Sequence, residues 1–162
     1  MRSFFLTLLF ALSALSLSTV PGVARADDAL NERLMQAGDA LENDVIALRR
    51  HFHQHPELSN REYETAKRIA QELRAIGLEP ETGIALTGVV AVLKGGKPGP
   101  LVALRADIDA LPVEEQVDLP FASKARSTYR GEEVGVMHAC GHDTHIAMLL
   151  GAARALVGVK EE

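Results

Sequence analysis

Apolar side chains recur every three or four positions from 30 to 52, which is the period of an amphipathic helix. The positions are Leu30, Leu34, Ala37, Leu41, Val45, Leu48 and Phe52. Gly38 lies inside this stretch and is a point where the helix could be disturbed. Pro56 lacks a backbone N–H and restricts the residue before it, so we expect the helix to end near His55.

Two further helices are predicted from the same period. The second is expected over 63–76, with capping-box spacing in Ser59-Asn60-Arg61-Glu62 and Gly77 as its stop. The third is expected over 146–157, where Arg154 is the only charged residue. A helix that is apolar nearly all round must be buried on several sides.

Between the second and third helices the pattern changes to short apolar runs. Residues 88–94 and 101–106 are predicted strands, separated by a glycine- and proline-rich turn over 95–100. Both runs are apolar on both faces, which indicates a sheet covered on both sides. The polar stretch 112–134 is expected to be a loop. Together the elements predict an α/β fold with helices packed on a mixed sheet.

The first 26 residues have the pattern of an export signal. Arg2 precedes the apolar run 4–20, and Ala24-Arg25-Ala26 matches a small-x-small cleavage site. We therefore expect cleavage after residue 26, a single domain over 27–162, and a periplasmic or secreted location. The alternative is an uncleaved N-terminal anchor, although the run is short for a membrane span.

The charge balance excludes some partners. The chain carries 17 basic and 22 acidic residues, a net charge of −5, with no basic run. Nucleic acid and anionic membrane surfaces are poor partners for such a chain. Cys140 is the only cysteine and so has no partner for an internal disulfide, which leaves metal ligation as a reason for its presence.

The segment 137–145 carries the strongest chemical signal. His138, Cys140 and His142 alternate, and alternate residues of an extended backbone point to the same side. Thiolate and imidazole are preferred donors for zinc and related ions, and Gly141 permits a tight turn between two of them. The segment therefore predicts a metal site.

Neighbouring polar residues leave alternatives open. Asp107 and Asp109 follow the second predicted strand, where they could bind a metal, orient a ligating histidine, or belong to a solvated turn. His145 could be a ligand or a packed residue behind the ligands. Asp143 or Thr144 could cap the third helix.

A second histidine cluster lies at the end of the first helix. His51 and His55 have the i, i+4 spacing of a chelating pair, and His53 lies between them. No Cys or Glu donor accompanies them before the helix ends, so we favour a structural role in which His55-Pro56-Glu57 shapes the turn.

Three segments resemble the M20 metallopeptidase family, in particular its amidohydrolase branch of hippurate, N-acyl-amino-acid and auxin-conjugate hydrolases. They are residues 50–58 (RHFHQHPEL), 104–112 (LRADIDALP) and 137–145 (MHACGHDTH). The resemblance implies that 27–162 is the N-terminal part of a zinc-peptidase-like catalytic domain, incomplete because the C-terminal part and an inserted lid domain are absent.

The resemblance also implies site residues and a reaction. Cys140 and His142 correspond to metal ligands, Asp107 to a further possible ligand, and Asp109 to a residue with a supporting catalytic role. The complete enzyme would hold two divalent ions (Mn, Zn, Co or Ni), with a general-base glutamate that this chain lacks. It would hydrolyse the amide bond of N-acyl amino acids or small peptides with a metal-activated water. A homodimer of the full-length form is left open.

Two other functions remain as alternatives. The chain could be a non-catalytic metal-binding remnant, or a half-enzyme that needs a complementary chain. It could also be a cysteine hydrolase with Cys140 as the nucleophile and His142 or His145 as the base.

Overall fold

The computed structural model describes residues 28–162, so the predicted leader lies outside the described residues. In chain order the elements are α1 (Asp28–Gln54), α2 (Tyr63–Ala75), β1 (Glu81–Ile84), β2 (Gly88–Val90), β3 (Arg126–Tyr129), β4 (Glu132–Gly135) and α3 (His142–Val157). The predicted mixed α/β class is confirmed. Among the described helices, none has the length and apolarity needed to cross a bilayer.

α1 is one continuous helix, and Gly38 does not interrupt it. It ends two residues before Pro56, as predicted. Its C-terminal half packs against α3, and Phe52 is the largest side chain buried there, with 1% of its surface exposed. The main core consists of Leu48, Phe52, Ile69, Ile146, Ala147 and Leu150.

α3 is less enclosed than its composition suggests. Ile146 and Leu150 face the core, while Met148 is 53% exposed within the described part of the molecule. At Gly151 a side-chain Cβ would lie 2.7 Å from Cγ2 of Val45, so this glycine allows α1 and α3 to approach closely. The expected burial on several sides is therefore wrong for residues 28–162, because α1 and α2 cover one face only.

The predicted capping box of α2 does not form. Glu62 occupies the N-cap position without a side-chain cap, and its carboxylate accepts a hydrogen bond from the Thr87 hydroxyl at 2.7 Å. Glu57 takes over the capping role, since its carboxylate accepts the backbone N–H groups of Glu64 at 3.2 Å and Thr65 at 2.8 Å. A residue across the turn thus satisfies donors that were expected to be bound locally.

The predicted end of α2 is confirmed. Gly77 has a φ of +81°, and the N–H of Leu78 binds the carbonyl of Leu73 at 3.1 Å. This is the left-handed helix stop that favours glycine.

The predicted sheet covered on both faces is wrong for the described residues. β2 covers only the first three residues of the predicted strand 88–94 and pairs with β1 as an antiparallel hairpin. The segment 101–106 has no ladder partner, and Leu101 is 94% exposed. No strand of residues 28–162 lies beside this segment, and apolar composition cannot make a strand without a neighbour to pair with.

A second hairpin lies inside the predicted loop 112–134. β3 and β4 pair antiparallel around Arg130 and Gly131, whose φ values are +53° and +87°. A two-residue turn with positive φ at both central residues matches the twist of the strands that it connects. The hairpin was missed because its side chains are mostly exposed and polar, which hides the alternation that indicates a strand.

Backbone bridges bring the three motif segments together. Leu58 bridges Ala110, and Leu111 bridges Met137. The N–H of Ala110 binds the carbonyl of Glu57 at 2.7 Å, and Leu111 and Met137 exchange hydrogen bonds of 3.0 and 3.1 Å. Segments that lie far apart in the chain therefore meet at one place, where the candidate site is found.

Candidate metal centre

The segment that precedes α3 sets the direction of the candidate ligands. Gly141 is the N-cap residue with a φ of +80°, a conformation that favours glycine, and its carbonyl accepts the N–H groups of Thr144 and His145. No side chain caps the helix, so the predicted cap at Asp143 or Thr144 is wrong. Asp143 instead points into the protein and is 1% exposed.

His142 is held by Asp109. Its Nδ1 lies 2.9 Å from the backbone oxygen of Asp109 and 3.0 Å from Oδ1 of the same residue. Both neighbours are acceptors, so Nδ1 is the donor, and in the neutral ring the lone pair then lies on Nε2. An imidazole oriented in this way is prepared to bind a metal through Nε2.

Cys140 lies two residues before His142 and is an exposed free thiol. It is therefore accessible to an ion. Asp107 does not join these groups directly, because its carboxylate pairs with Arg105 at 2.7 Å. His145 is exposed, and its ring centroid lies 5.5 Å from that of His142.

His138 is the most unusual side chain of the cluster. It is 4% exposed, and neither ring nitrogen has a hydrogen-bond partner. Desolvation by burial lowers its pKa to about 4, against the opposing effect of Asp143. The ring is therefore neutral at pH 7, with an unpaired donor and acceptor in the interior.

These observations test whether the residues fit a metal ion. Thiolate and neutral imidazole are suitable donors, His142 is oriented, and His138 supplies an orphaned polar ring beside them. However, in the described range no three His, Cys, Asp or Glu side chains are arranged so that together they could hold a metal ion. Residues 28–162 thus fit part of a coordination sphere.

Sequence reasoning missed a buried network next to this site. His53 Nδ1 lies 2.9 Å from Oδ2 of Asp143, and its Nε2 lies 2.9 Å from Oε2 of Glu115. Arg49 Nε contacts the same Asp143 oxygen at 2.9 Å. Both nitrogens of His53 are occupied, so the structural role favoured for this residue is supported. Nothing in the local sequence identifies these partners, because the two carboxylates lie 62 and 90 residues further along the chain.

The other two histidines of this region, His51 in α1 and His55 just after it, lie elsewhere. The rings of His51 and His55 are 4.9 Å apart between centroids. Burial, followed by the positive charge of Arg68, lowers the pKa of His51. The predicted turn after α1 is shaped by Glu57, as the α2 cap shows.

Comparisons with known proteins agree with this arrangement. Residues 103–162 match the family model described as Peptidase family M20/M25/M40. The chain is 52% identical over 82% of its length to thermostable carboxypeptidase 1 of Saccharolobus solfataricus, of which it covers 32%. It is 44% identical over 81% of its length to the N-acyl-L-amino acid amidohydrolase of Geobacillus stearothermophilus, of which it covers 33%.

A solved structure supports the same assignment. The Bacillus subtilis YXEP protein, described as a dinuclear metal binding peptidase from the M20 family, matches with a TM-score of 0.66 at 46% identity. The match covers 75% of this chain and 32% of that structure. The chain thus spans about a third of the length of the relatives that it matches. From its motifs, its fold and these relatives, we conclude that the chain belongs to peptidase family M20/M25/M40.

Proposed function

We propose that this chain contributes to a metal-dependent amidohydrolase that cleaves the amide bond of N-acyl amino acids or small peptides. The observation that carries the proposal is the pair formed by His142 and Asp109 beside the accessible thiol of Cys140. The names of the relatives support the substrate class, since they include a carboxypeptidase and an N-acyl-L-amino acid amidohydrolase.

We assign Cys140 and His142 as metal ligands and Asp107 as a possible further ligand. Oδ1 of Asp107 pairs with Arg105, so its Oδ2 would be the oxygen that binds an ion. The ions are divalent Mn, Zn, Co or Ni, two per complete site, in line with the dinuclear description of the B. subtilis relative.

A divalent ion bound at these residues would supply Lewis-acid polarisation of the amide carbonyl and would make a bound water more acidic than bulk water. The residues of this chain have distinct roles around it. Asp109 accepts the Nδ1 proton of His142 and keeps the ring in one tautomer and orientation. Cys140 would bind the ion through its sulfur, and the buried ring of His138 remains neutral.

A second candidate function is metal binding without turnover. The chain would then be either a non-catalytic remnant or a half-enzyme that becomes active only with a complementary chain. The observation in its favour is that residues 28–162 contain no group of three or more His, Cys, Asp or Glu side chains arranged to hold a metal ion. The two candidates differ in one assay, because only the hydrolase releases an amine from N-acetyl amino acids. Mixing with the remaining part of a longer relative would separate a half-enzyme from a remnant.

Cobalt titration of the full chain tests the ligand assignment. We expect sulfur-to-cobalt charge-transfer absorption in the near ultraviolet with the unaltered chain, and its loss in Cys140→Ser. His55→Gln is the matched control, because His55 is an exposed histidine away from the site. Unchanged absorption in Cys140→Ser would exclude the thiol as a ligand, and would leave the cysteine available as a nucleophile.

We also propose that the protein is exported and cleaved after Ala26, on the pattern of the first 26 residues. Amino-terminal sequencing of the protein recovered from the periplasm and medium of a bacterial host tests this. A mature protein that begins at Asp27 is expected, and an intact Met1 terminus in the cytoplasm would contradict the proposal.

A further inference from the structure

We propose that Arg49, His53, Glu115 and Asp143 form a positioning network that sets the orientation of His142 toward its metal. The four residues are called the buried network below. The inference rests on the proposed function, since it assigns these residues a part in building that site. They are positioning residues, because none of them would touch substrate or ion.

The buried network joins three separate parts of the chain. Arg49 and His53 belong to α1, Asp143 to the first turn of α3, and Glu115 to the irregular segment after Asp109. Asp143 accepts from both Arg49 and His53 at 2.9 Å, and His53 reaches Glu115 at 2.9 Å with its other nitrogen. One histidine therefore bridges the start of α3 to the segment that carries Asp109.

Most of the buried network is shielded from water, so each charged group depends on its partners. The side chains of Asp143, His53 and Glu115 are 2%, 6% and 6% exposed. Burial alone would raise the pKa of Glu115, but the hydrogen bond to His53 and backbone N–H groups outweigh it and lower the pKa. Two carboxylates face Arg49 and His53, so loss of one partner leaves a buried charge without compensation.

Phe121 closes the outer side of the buried network. The guanidinium groups of Arg49 and Arg50 lie 5.3 and 5.2 Å from its ring centroid, and the ring of His53 packs edge-on at 5.8 Å. These ring contacts restrict the cationic side chains of the network, while the Arg49 side chain stays 36% exposed.

The connection to the site is direct. Asp143 follows His142 in the first turn of α3, so the anchor on Asp143 sets the rotation of that turn and with it the direction of Nε2. Glu115 lies six residues after Asp109, the residue that binds Nδ1 of His142. The buried network therefore anchors the residue next to His142 and the segment that follows Asp109. Groups that orient a metal ligand are worth about 10- to 100-fold in metal affinity.

The discriminating variant is Glu115→Gln in the full chain, because it removes one charge with little change in volume. We expect cobalt affinity to fall about tenfold. In the metal-free chain, we expect the long-range ¹H–¹⁵N spectrum of His142 to change from one tautomer to a mixture. Glu114→Gln is the matched control, since Glu114 is the exposed neighbour that pairs with Arg126 and should leave both readouts unchanged.

The variant Leu150→Ala distinguishes positioning of His142 from a general contribution to stability. It weakens the core without touching the buried network. Measured well below its unfolding temperature, this variant should keep cobalt affinity and the His142 tautomer. The inference is overturned if Glu115→Gln leaves the tautomer unchanged, or if Leu150→Ala alters both readouts equally. Failure of the unaltered chain to bind cobalt through sulfur would instead refute the proposed function, while the tautomer comparison still decides the role of the buried network.

Discussion

Two apolar regions of this molecule have opposite fates. The helical region around Phe52, Ile146 and Leu150 is packed, with each of these residues 4% exposed or less. The segment 101–106 is as apolar in sequence, yet Leu101, Val102 and Leu104 are 94%, 73% and 59% exposed. The difference shows that a helix satisfies its own backbone and needs only a packing face, whereas a strand needs a neighbour for its hydrogen bonds as well.

Mutations in the two regions should differ most in their effect on the free energy of unfolding. Phe52→Ala should lower the free energy of unfolding by about 3–5 kcal/mol, since it opens a cavity among the helices. Leu101→Ala should change it by less than about 0.5 kcal/mol, because the side chain makes no core contact in residues 28–162. Urea denaturation followed by circular dichroism measures both. Similar losses for the two variants would contradict the comparison and indicate that 101–106 packs in solution.

Acid should destabilise the folded chain, because His138 is buried in it. The pKa of His138 is lowered from 6.5 to about 4 in the folded chain. Between pH 6.5 and pH 4, the unfolded chain therefore binds a proton that the folded chain does not. The free energy of unfolding therefore falls as the pH decreases from 6.5 to 4, by about 3 kcal/mol in total, and His138 contributes no slope above that window.

The loss is measured by denaturation at several pH values in the presence of a chelator. His138→Leu is the matching variant, and it should remove most of this slope. Glu115 adds a further loss at lower pH, since its pKa is also lowered and its stabilisation disappears as it is protonated. A slope in His138→Leu equal to that of the unaltered chain would show that other groups control acid stability.

A smaller loss of stability is expected at Glu57, which connects α2 to the segment that follows 101–106. Glu57 caps α2 with its side chain and binds Ala110 through its backbone carbonyl. Glu57→Ala should cost about 1 kcal/mol, as for other N-cap losses. Ser59→Ala, at the position of the predicted capping box, should have almost no effect. Thermal unfolding of the pair decides between the two caps, and a larger loss from Ser59→Ala would restore the capping box.

Several features could be predicted from local pattern. The end of α1 before Pro56 and the stop of α2 at Gly77 follow from backbone restrictions of single residues. The place of Asp109 after an apolar run left open a role in orienting a ligating histidine, beside metal ligation and a solvated turn, and the structure sets it against His142. Whether these residues bind an ion remains a prediction that the cobalt experiment addresses.

Other features could not be predicted because they depend on long-range partners. The buried network joins residues 62 and 90 positions apart, through one histidine between two carboxylates. Nothing in the sequence around His53 distinguishes it from His51 or His55. The β3–β4 hairpin was also missed, since its stability depends on pairing and on contacts such as Arg126 with Glu133 at 2.8 Å.

Local residue patterns are enough to indicate where helices can begin and end, which residues can bind a metal, and the family to which their motifs point. The folded chain was needed to show which carboxylate meets which histidine, which helix end each carboxylate caps, and which apolar run finds a partner. The two kinds of feature differ in the distance along the chain over which they act. Helical period and turn chemistry act over a few residues, whereas ion pairs, strand pairing and burial require segments that only the folded backbone brings together.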